Sequence, residues 1–223
     1  MWHRLLRAAR GNRDTSVFAD ARQGMNYARR NAALLHSLIG YYAVTALGYS
    51  FWVVMPGFIK DELNTGTASL GAILGVTAAG GLVGSIIVAS LADSKRAPTY
   101  LKLSSALAGV ALLLVGFAPT FLVAMLIMAF MGAGISAFQT LNNAVALRQT
   151  DPAFYGRVMG LMQIAWGLIN LFSLPTGFVA DAVGERTVLS GAGGILLFVL
   201  LLLMLWERRI VAKRESTLPI QAS

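Results

Sequence analysis

Long apolar stretches alternate with short charged segments along this chain. Six such stretches contain no Asp, Glu or Arg. A helix needs about 20 apolar residues to cross the roughly 30 Å hydrocarbon layer of a membrane. The pattern therefore predicts six membrane-spanning helices, at about residues 32–58, 68–92, 100–118, 121–147, 158–180 and 188–206.

The third and fourth spans are separated by a proline rather than by charge. Residues 103–147 contain no charged side chain, and as one helix they would extend about 68 Å, more than twice the hydrocarbon thickness. Pro119 is the only strong helix breaker near the right depth. A tight turn is therefore predicted there. The third span begins with Lys102, whose long stem lets the amine reach the membrane interface.

Composition excludes two broad classes of protein. Only 13% of the residues are charged and 57% are hydrophobic, whereas a soluble domain is about 25% charged. Such a chain lacks the polar groups to cover a water-exposed surface, and with no cysteine it is not a disulfide-built secreted scaffold. We expect an all-α integral membrane protein whose first partner is the lipid bilayer.

The basic residues predict the orientation. Sixteen of the 18 Lys and Arg residues fall in the N-terminal segment, the second and fourth loops and the C-terminal tail, and only Lys60 and Arg186 fall on the other side. Basic loops stay in the cytoplasm, so both termini are expected there. The net charge of +8 is then a signal of topology and not of nucleic-acid binding. Residues 1–31 are interpreted as a basic amphipathic lead segment without a signal-peptide core, and 207–223 as a cytoplasmic tail.

Polar side chains are concentrated in the first, fourth and fifth spans, whereas the third and sixth are almost wholly apolar. Amides inside a membrane need a cavity or a partner helix. The third and sixth spans should therefore face lipid. The candidates for a substrate cavity are Tyr49, Trp52, Gln139, Asn142, Gln163, Trp166 and Asn170. The alternative is that these amides hydrogen-bond across helix interfaces, at about 0.6–2 kcal/mol each.

Small residues and charges make two further predictions. Gly71 and Gly75 are four residues apart, as are Gly80 and Gly84, and this spacing indicates close helix packing. Charged residues at the ends of the spans are candidates for a gating network, or else are solvated anchors. On the cytoplasmic side they are Asp93, Lys95, Arg96, Arg148, Asp151 and Arg157, and on the other side Asp181 with Arg186 as its partner. Asp151 is also a natural helix cap before Pro152.

A short internal sequence similarity relates the second and fifth spans. The second span ends Ser-Leu-Ala-Asp93 and the fifth ends Phe-Val-Ala-Asp181, each followed by basic residues. Equivalent positions in two three-helix halves of opposite orientation are typical of secondary transporters. We therefore predict two inverted three-helix repeats. We find no nucleotide-binding, zinc or triad motif, so no enzyme activity, cofactor or metal site is expected.

Several local motifs follow one another along the chain. They are the lead-in GMNYARRN at 24–31, MPGF at 55–58, GGLVG at 80–84 with LADSKR at 91–96, DP at 151–152, GRVM at 156–159, and GFVAD at 177–181 with Gly184 and Arg186. In this order they resemble the C-terminal six-helix half of a major facilitator superfamily transporter, in the subgroup of enterobactin-exporter-like, proton-driven efflux proteins. The resemblance covers about residues 24–209.

The resemblance implies that spans one, two, four and five line a central cavity for a small amphipathic substrate, in a bacterial cytoplasmic membrane. A full transporter of this kind has two such halves, and this chain supplies one. It also has no Asp or Glu inside a span. The partner half would be a missing N-terminal region, a separate chain or a second copy. The alternative is a structural or accessory six-helix protein, or a fragment, without transport of its own.

Overall fold

The computed structural model describes residues 17–63, 66 and 68–215, and within the helices the side chains at 17, 18, 168, 170, 172–174 and 209–215 fall outside that description. Every regular element among the described residues is helical. They are α1 (Val17–Arg30), α2 (Ala32–Gly48), α3 (Phe51–Gly57, continued by a π-helical turn at Phe58–Glu62), α4 (Ala68–Ala89), α5 (Ala97–Val115), α6 (Phe121–Arg148), a 3₁₀ turn (Pro152–Phe154), α7 (Tyr155–Val183) and α8 (Glu185–Glu215).

Five stretches of the described chain are long and apolar enough to cross a membrane, which confirms a polytopic helical membrane protein. They are Ala32–Glu62, Ala68–Ala89, Ala97–Val115, Phe121–Arg148 and Glu185–Arg208. The predicted span at 158–180 lies within α7, which has 29 residues. Its crossing of the membrane, and the arrangement of the helices as two inverted repeats, remain predictions.

Capping residues define several of the helix ends. Thr120 caps α6 by accepting a hydrogen bond from the Val123 N–H, directly after Pro119. Asn31 caps α2 in the same way through Leu34, and its Nδ2 donates to the Gln149 carbonyl at 3.0 Å. Gly184 ends α7 with φ of 86°, a left-handed conformation that favours glycine. These caps bring consecutive helices close together with short connections.

The first and last spans depart most from their predicted bounds. The first crossing is interrupted at Tyr49 and Ser50, where α2 ends and α3 begins, and it then continues through Pro56 to Glu62. The last helix continues beyond residue 206 to Glu215, because the polar residues after Trp206 extend the helix of the apolar span. Residues 1–16 of the predicted lead segment and 216–223 of the predicted tail lie outside the described residues.

Glycines bring α4 and α6 into backbone contact. A Cβ added at Gly80 or Gly84 would overlap the carbonyl oxygen of Ala129 or Ala133, and one at Gly132 would overlap that of Thr77. By contrast, Gly71 and Gly75 have no neighbouring atom within 4 Å of the same position. Of the four glycines predicted to pack, the structure thus places two in the α4–α6 contact and two on an open face.

Helix α1 packs against one end of the helix bundle. The Tyr27 ring stacks on Phe154 with centroids 4.2 Å apart, and the Tyr27 hydroxyl accepts a hydrogen bond from the Asp151 N–H at 2.9 Å. Gly24 packs against the backbone of Arg157. The connection between α6 and α7 is therefore held against α1, and we refer to this end of the bundle as the α1 end.

Candidate functional site

A polar cavity of about 660 Å³ lies between α2, α4, α6 and α7 and opens to the outside of the chain on one face. Its walls combine hydroxyl, amide and aromatic side chains with small and apolar ones. The polar and aromatic residues are Tyr41, Tyr49, Ser85, Ser136, Gln139, Thr140, Asn143, Gln163 and Trp166.

Four of the predicted cavity residues line this space, namely Tyr49, Gln139, Gln163 and Trp166. Trp52 lies in an adjoining pocket of about 180 Å³, which shares Tyr49, Ala78 and Ser136 with the main cavity. The side chain of Asn170 lies outside the described residues.

The Asn142 side chain lies on a face of α6 that does not line the cavity. It is fully buried, its Oδ1 accepts a hydrogen bond from the Ser37 hydroxyl at 2.9 Å, and its Nδ2 makes no hydrogen bond in the described structure. It borders a separate void of about 40 Å³ together with His36, Lys102 and Ser105. Asn142 therefore contributes to helix packing, the alternative interpretation of these amides.

Its neighbour Asn143 lines the cavity instead, and helix geometry explains why. Ser136, Gln139, Thr140 and Asn143 follow the i, i+3, i+4, i+7 spacing of one helix face, and one residue of difference turns a side chain by about 100°. Of this face, only Gln139 is among the predicted cavity residues. The structure adds Ser136, Thr140 and Asn143, and from other helices Tyr41 and Ser85. Extending the face from Gln139 would have identified the three residues on α6.

The two adjacent asparagines give a matched pair of variants. Asn142→Ala should destabilise the detergent-solubilised protein by about 1–3 kcal/mol, because the buried Ser37 hydroxyl loses its acceptor. Asn143→Ala, at an exposed position, should change stability by no more than about 0.5 kcal/mol. Thermal unfolding of both variants measures the difference. Equal losses of stability would contradict the placement of the two side chains on different faces of α6.

Aromatic side chains form one wall of the cavity. The Trp166 Nε1–H donates a hydrogen bond to the Tyr41 hydroxyl at 3.0 Å. The Trp166 ring also meets the Tyr49 ring at 61°, with centroids 4.8 Å apart. This edge-to-face arrangement is favoured by the ring quadrupoles and ties α7 to the end of α2. The Gln139 amide lies beside the Tyr49 hydroxyl, so α6 also meets the end of α2 on this wall.

The predicted charge network is only partly assembled at the α1 end. Arg148 pairs with Asp93, but Arg157 pairs with Asp20 of α1 at 3.3 Å. Asp151 caps the following turn by accepting from the Ala153 N–H at 2.9 Å. Lys95 and Arg96 are exposed. The network thus contains one pair between two of the predicted residues, one pair that includes α1, and a local cap.

At the opposite end, Arg186 pairs with Glu62 and not with Asp181, the partner expected from the sequence. Its Nε donates to Glu62 at 2.6 Å, and its Nη1 donates to the carbonyls of Gly116 and Ala118 at 3.2 and 2.9 Å. The guanidinium also lies 5.5 Å from the centroid of the Phe58 ring. Asp181 is exposed. Arg186 therefore joins the start of α8, the end of the first crossing and the turn before α6.

The described residues contain no cluster of three or more His, Asp or Glu side chains that could hold a metal ion. Apolar crossings around an open polar cavity define the class as a polytopic helical membrane protein with a binding cavity among its spans. The family model of the Major Facilitator Superfamily matches residues 5–172.

The chain therefore belongs to the Major Facilitator Superfamily, which confirms the resemblance at the level of the superfamily. Members of this superfamily are membrane transporters rather than enzymes. No curated protein and no solved structure matches the chain in the corresponding comparisons.

Proposed function

We propose that this chain acts as the C-terminal six-helix half of a proton-driven efflux transporter, of the enterobactin-exporter-like kind, for small amphipathic molecules in a bacterial cytoplasmic membrane, with both termini in the cytoplasm. The observation that carries the proposal is the cavity of about 660 Å³, which four helices line with amides, hydroxyls and aromatic rings and leave open on one face. Secondary transporters bind their substrates near the membrane midplane, between two repeats.

The rim of this cavity is suited to a second six-helix half. On α4, Gly71 and Gly75 have no atom within 4 Å of a potential Cβ, and the same holds for Gly156, Gly160 and Gly167 on α7. Small residues on an open face allow another helix to approach closely. A second half packed along α4 and α7 would close the cavity, and rocking between the halves would expose it alternately to the two sides. That half is a preceding region of a longer protein, a separate chain or a second copy.

The proton-coupling carboxylate would belong to the other half, since no Asp or Glu lies in the middle of a span in this one. Asp61, Glu62, Glu185 and Glu207 lie at the ends of the crossings. The contribution of this half to gating would be the exposed Asp93–Arg148 pair. These two side chains join the loop after α4 to the end of α6. Separation and re-formation of such a pair at the cytoplasmic ends would accompany each cycle.

Water access to the cavity tests this function, and the absence of native cysteine makes the test clean. A cysteine at Ser136, which lines the cavity, should react with a membrane-impermeant maleimide in vesicles of one orientation or the other. A cysteine at Ser105, which is 2% exposed, is the matched control and should remain unlabelled. Protection of both cysteines from both sides would show a dry interior and would favour an accessory protein without transport.

A further inference from the structure

The outward face of α1 carries basic side chains without an ion-pair partner in the described part of the chain. Arg22, Arg29 and Arg30 are exposed, and none of them belongs to an ion pair between described residues. Asn26, which is also exposed, lies between them. With 3.6 residues per turn, the four side chains fall within about 100° of arc around the helix. We refer to these four residues as the basic stripe of α1.

The opposite face of α1 is packed against the bundle. Asp20 pairs with Arg157, Gly24 packs against the Arg157 backbone, and the Tyr27 ring stacks on Phe154. These contacts fix the rotation of α1 about its own axis and turn the basic stripe away from the bundle. An amphipathic helix with a basic polar face is typical of membrane interfaces.

The surroundings of α1 place this helix where the chain leaves the membrane. Its side chains contact the connection between α6 and α7. Asn31, the residue after α1, donates to the Gln149 carbonyl just beyond the end of α6, and the first apolar crossing begins directly after it, at Ala32. α1 therefore lies beside the ends of two apolar crossings, those of α2 and α6.

A tryptophan marks the depth of the membrane interface close to this point. The rings of His36 and Trp206 lie 5.7 Å apart, and tryptophan in membrane helices is enriched where the hydrocarbon meets the headgroups. Asn31 precedes His36 by five residues, or about 8 Å of helix, and the headgroup layer on one side of a bilayer is about 5–8 Å thick. Arg29 and Arg30, next to Asn31, therefore lie at the depth of the lipid phosphates.

We propose that the basic stripe of α1 binds the anionic headgroups of phospholipids. Guanidinium groups match the geometry of phosphate oxygens, and each basic residue near an anionic membrane surface strengthens binding about fivefold. An acidic protein segment would be attracted by the same charges, but the depth of Arg29 and Arg30 favours lipid. Because α1 is bound to the connection between α6 and α7, the lipid would hold that connection at the membrane surface. The inference concerns α1 and stands independently of the transport proposed for the cavity.

The test uses a fluorescent reporter within the stripe. The chain has no native cysteine, so Asn26→Cys provides a single site for a bimane label without removing a charge. The labelled chain is reconstituted in phosphatidylcholine nanodiscs that contain a small fraction of a nitroxide lipid, spin-labelled close to its headgroup. Nitroxide phosphatidylglycerol should quench the bimane at least about fivefold more strongly than nitroxide phosphatidylcholine at the same mole fraction. High salt should reduce this preference, because it screens exposed charges.

Two triple variants in the Asn26→Cys background separate the stripe from net charge. Replacement of the stripe by Arg22→Gln, Arg29→Gln and Arg30→Gln should bring the preference for phosphatidylglycerol close to one. The matched control removes three exposed basic residues outside α1 and should keep the preference; it combines Lys95→Gln, Arg96→Gln and Arg208→Gln. Replacement of the three stripe arginines by lysine should retain most of the preference, because the charge is kept. Thermal unfolding midpoints should be unchanged in all three, since the substituted side chains are exposed.

Four outcomes would overturn the proposal. Equal quenching by the two nitroxide lipids would show that the stripe does not select anionic headgroups. A preference that survives in the glutamine variant of the stripe would assign it to other residues, and a preference lost equally in the matched control would assign it to net charge alone. Absence of quenching by either lipid would show that the stripe faces water or a protein partner, and an acidic protein segment would then replace lipid as its ligand.

Discussion

Gly132→Ala should lower the stability of the detergent-solubilised chain by about 2–3 kcal/mol, near the upper end of the cost of overpacking. The added methyl group would overlap the Thr77 carbonyl oxygen, and this neighbour is backbone that cannot rotate away. Relief requires α4 and α6 to move apart, and that movement would also loosen the contacts at Gly80 and Gly84. Thermal unfolding monitored by size-exclusion chromatography gives the measurement.

The matched control is Gly75→Ala, on the open face of α4. No atom lies within 4 Å of its potential Cβ, and alanine favours a helix over glycine by about 1 kcal/mol. The same chemical change should therefore leave the chain unchanged or slightly more stable. A similar loss at both positions would contradict the placement of Gly132 in the α4–α6 contact and of Gly75 on an open face.

The second large effect is expected at Arg186. Arg186→Gln removes the hydrogen bonds to Glu62, Gly116 and Ala118 and leaves the Glu62 carboxylate unpaired. Because both side chains are about one-third exposed, solvent screens part of this loss, and we expect a cost of about 2 kcal/mol. Arg186→Lys should lower the stability less than Arg186→Gln does. It should still be less stable than the unsubstituted chain, because a lysine ammonium cannot reproduce the planar fork of donors.

Two companion variants separate charge from packing. Glu62→Gln combined with Arg186→Gln should recover part of the lost stability, because the unpaired carboxylate is removed. Arg148→Gln breaks the pair with Asp93, whose side chain is 98% exposed, and should cost at most about 1 kcal/mol. A larger loss at Arg148 than at Arg186 would refute the role assigned to the Arg186 junction.

The fold was largely predictable because membrane crossings are encoded locally. Twenty apolar residues suffice to identify a span, and Pro119 with Thr120 marks the turn before α6 without any tertiary information. The interruption at Tyr49 and Ser50 was less directly marked. Gly48 is the last residue of α2, and Pro56 cannot donate a hydrogen bond to the Trp52 carbonyl. These residues weaken the helix near the break without specifying that it falls at Tyr49.

The helices that line the site could be predicted from the sequence, but the individual lining residues could be predicted less well. An uneven share of polar groups identified the three helices that contribute its amides and aromatic rings, but adjacent positions such as Asn142 and Asn143 point in different directions. Choosing between them required the phase of α6 relative to its neighbours. The partner of Arg186 was harder still, because Glu62 is 124 positions away in the sequence and only the packed fold brings the two together.

The interrupted first crossing connects two anchored segments. Near the α1 end, the Tyr42 hydroxyl donates to the Leu161 carbonyl of α7 at 2.6 Å, and at the far end Glu62 is bound to Arg186 of α8. The break at Tyr49, whose ring is part of the cavity wall, therefore lies between one segment bound to α7 and another bound to α8. Any change in the tilt of α7 relative to α8 would have to be taken up at this break, beside the cavity.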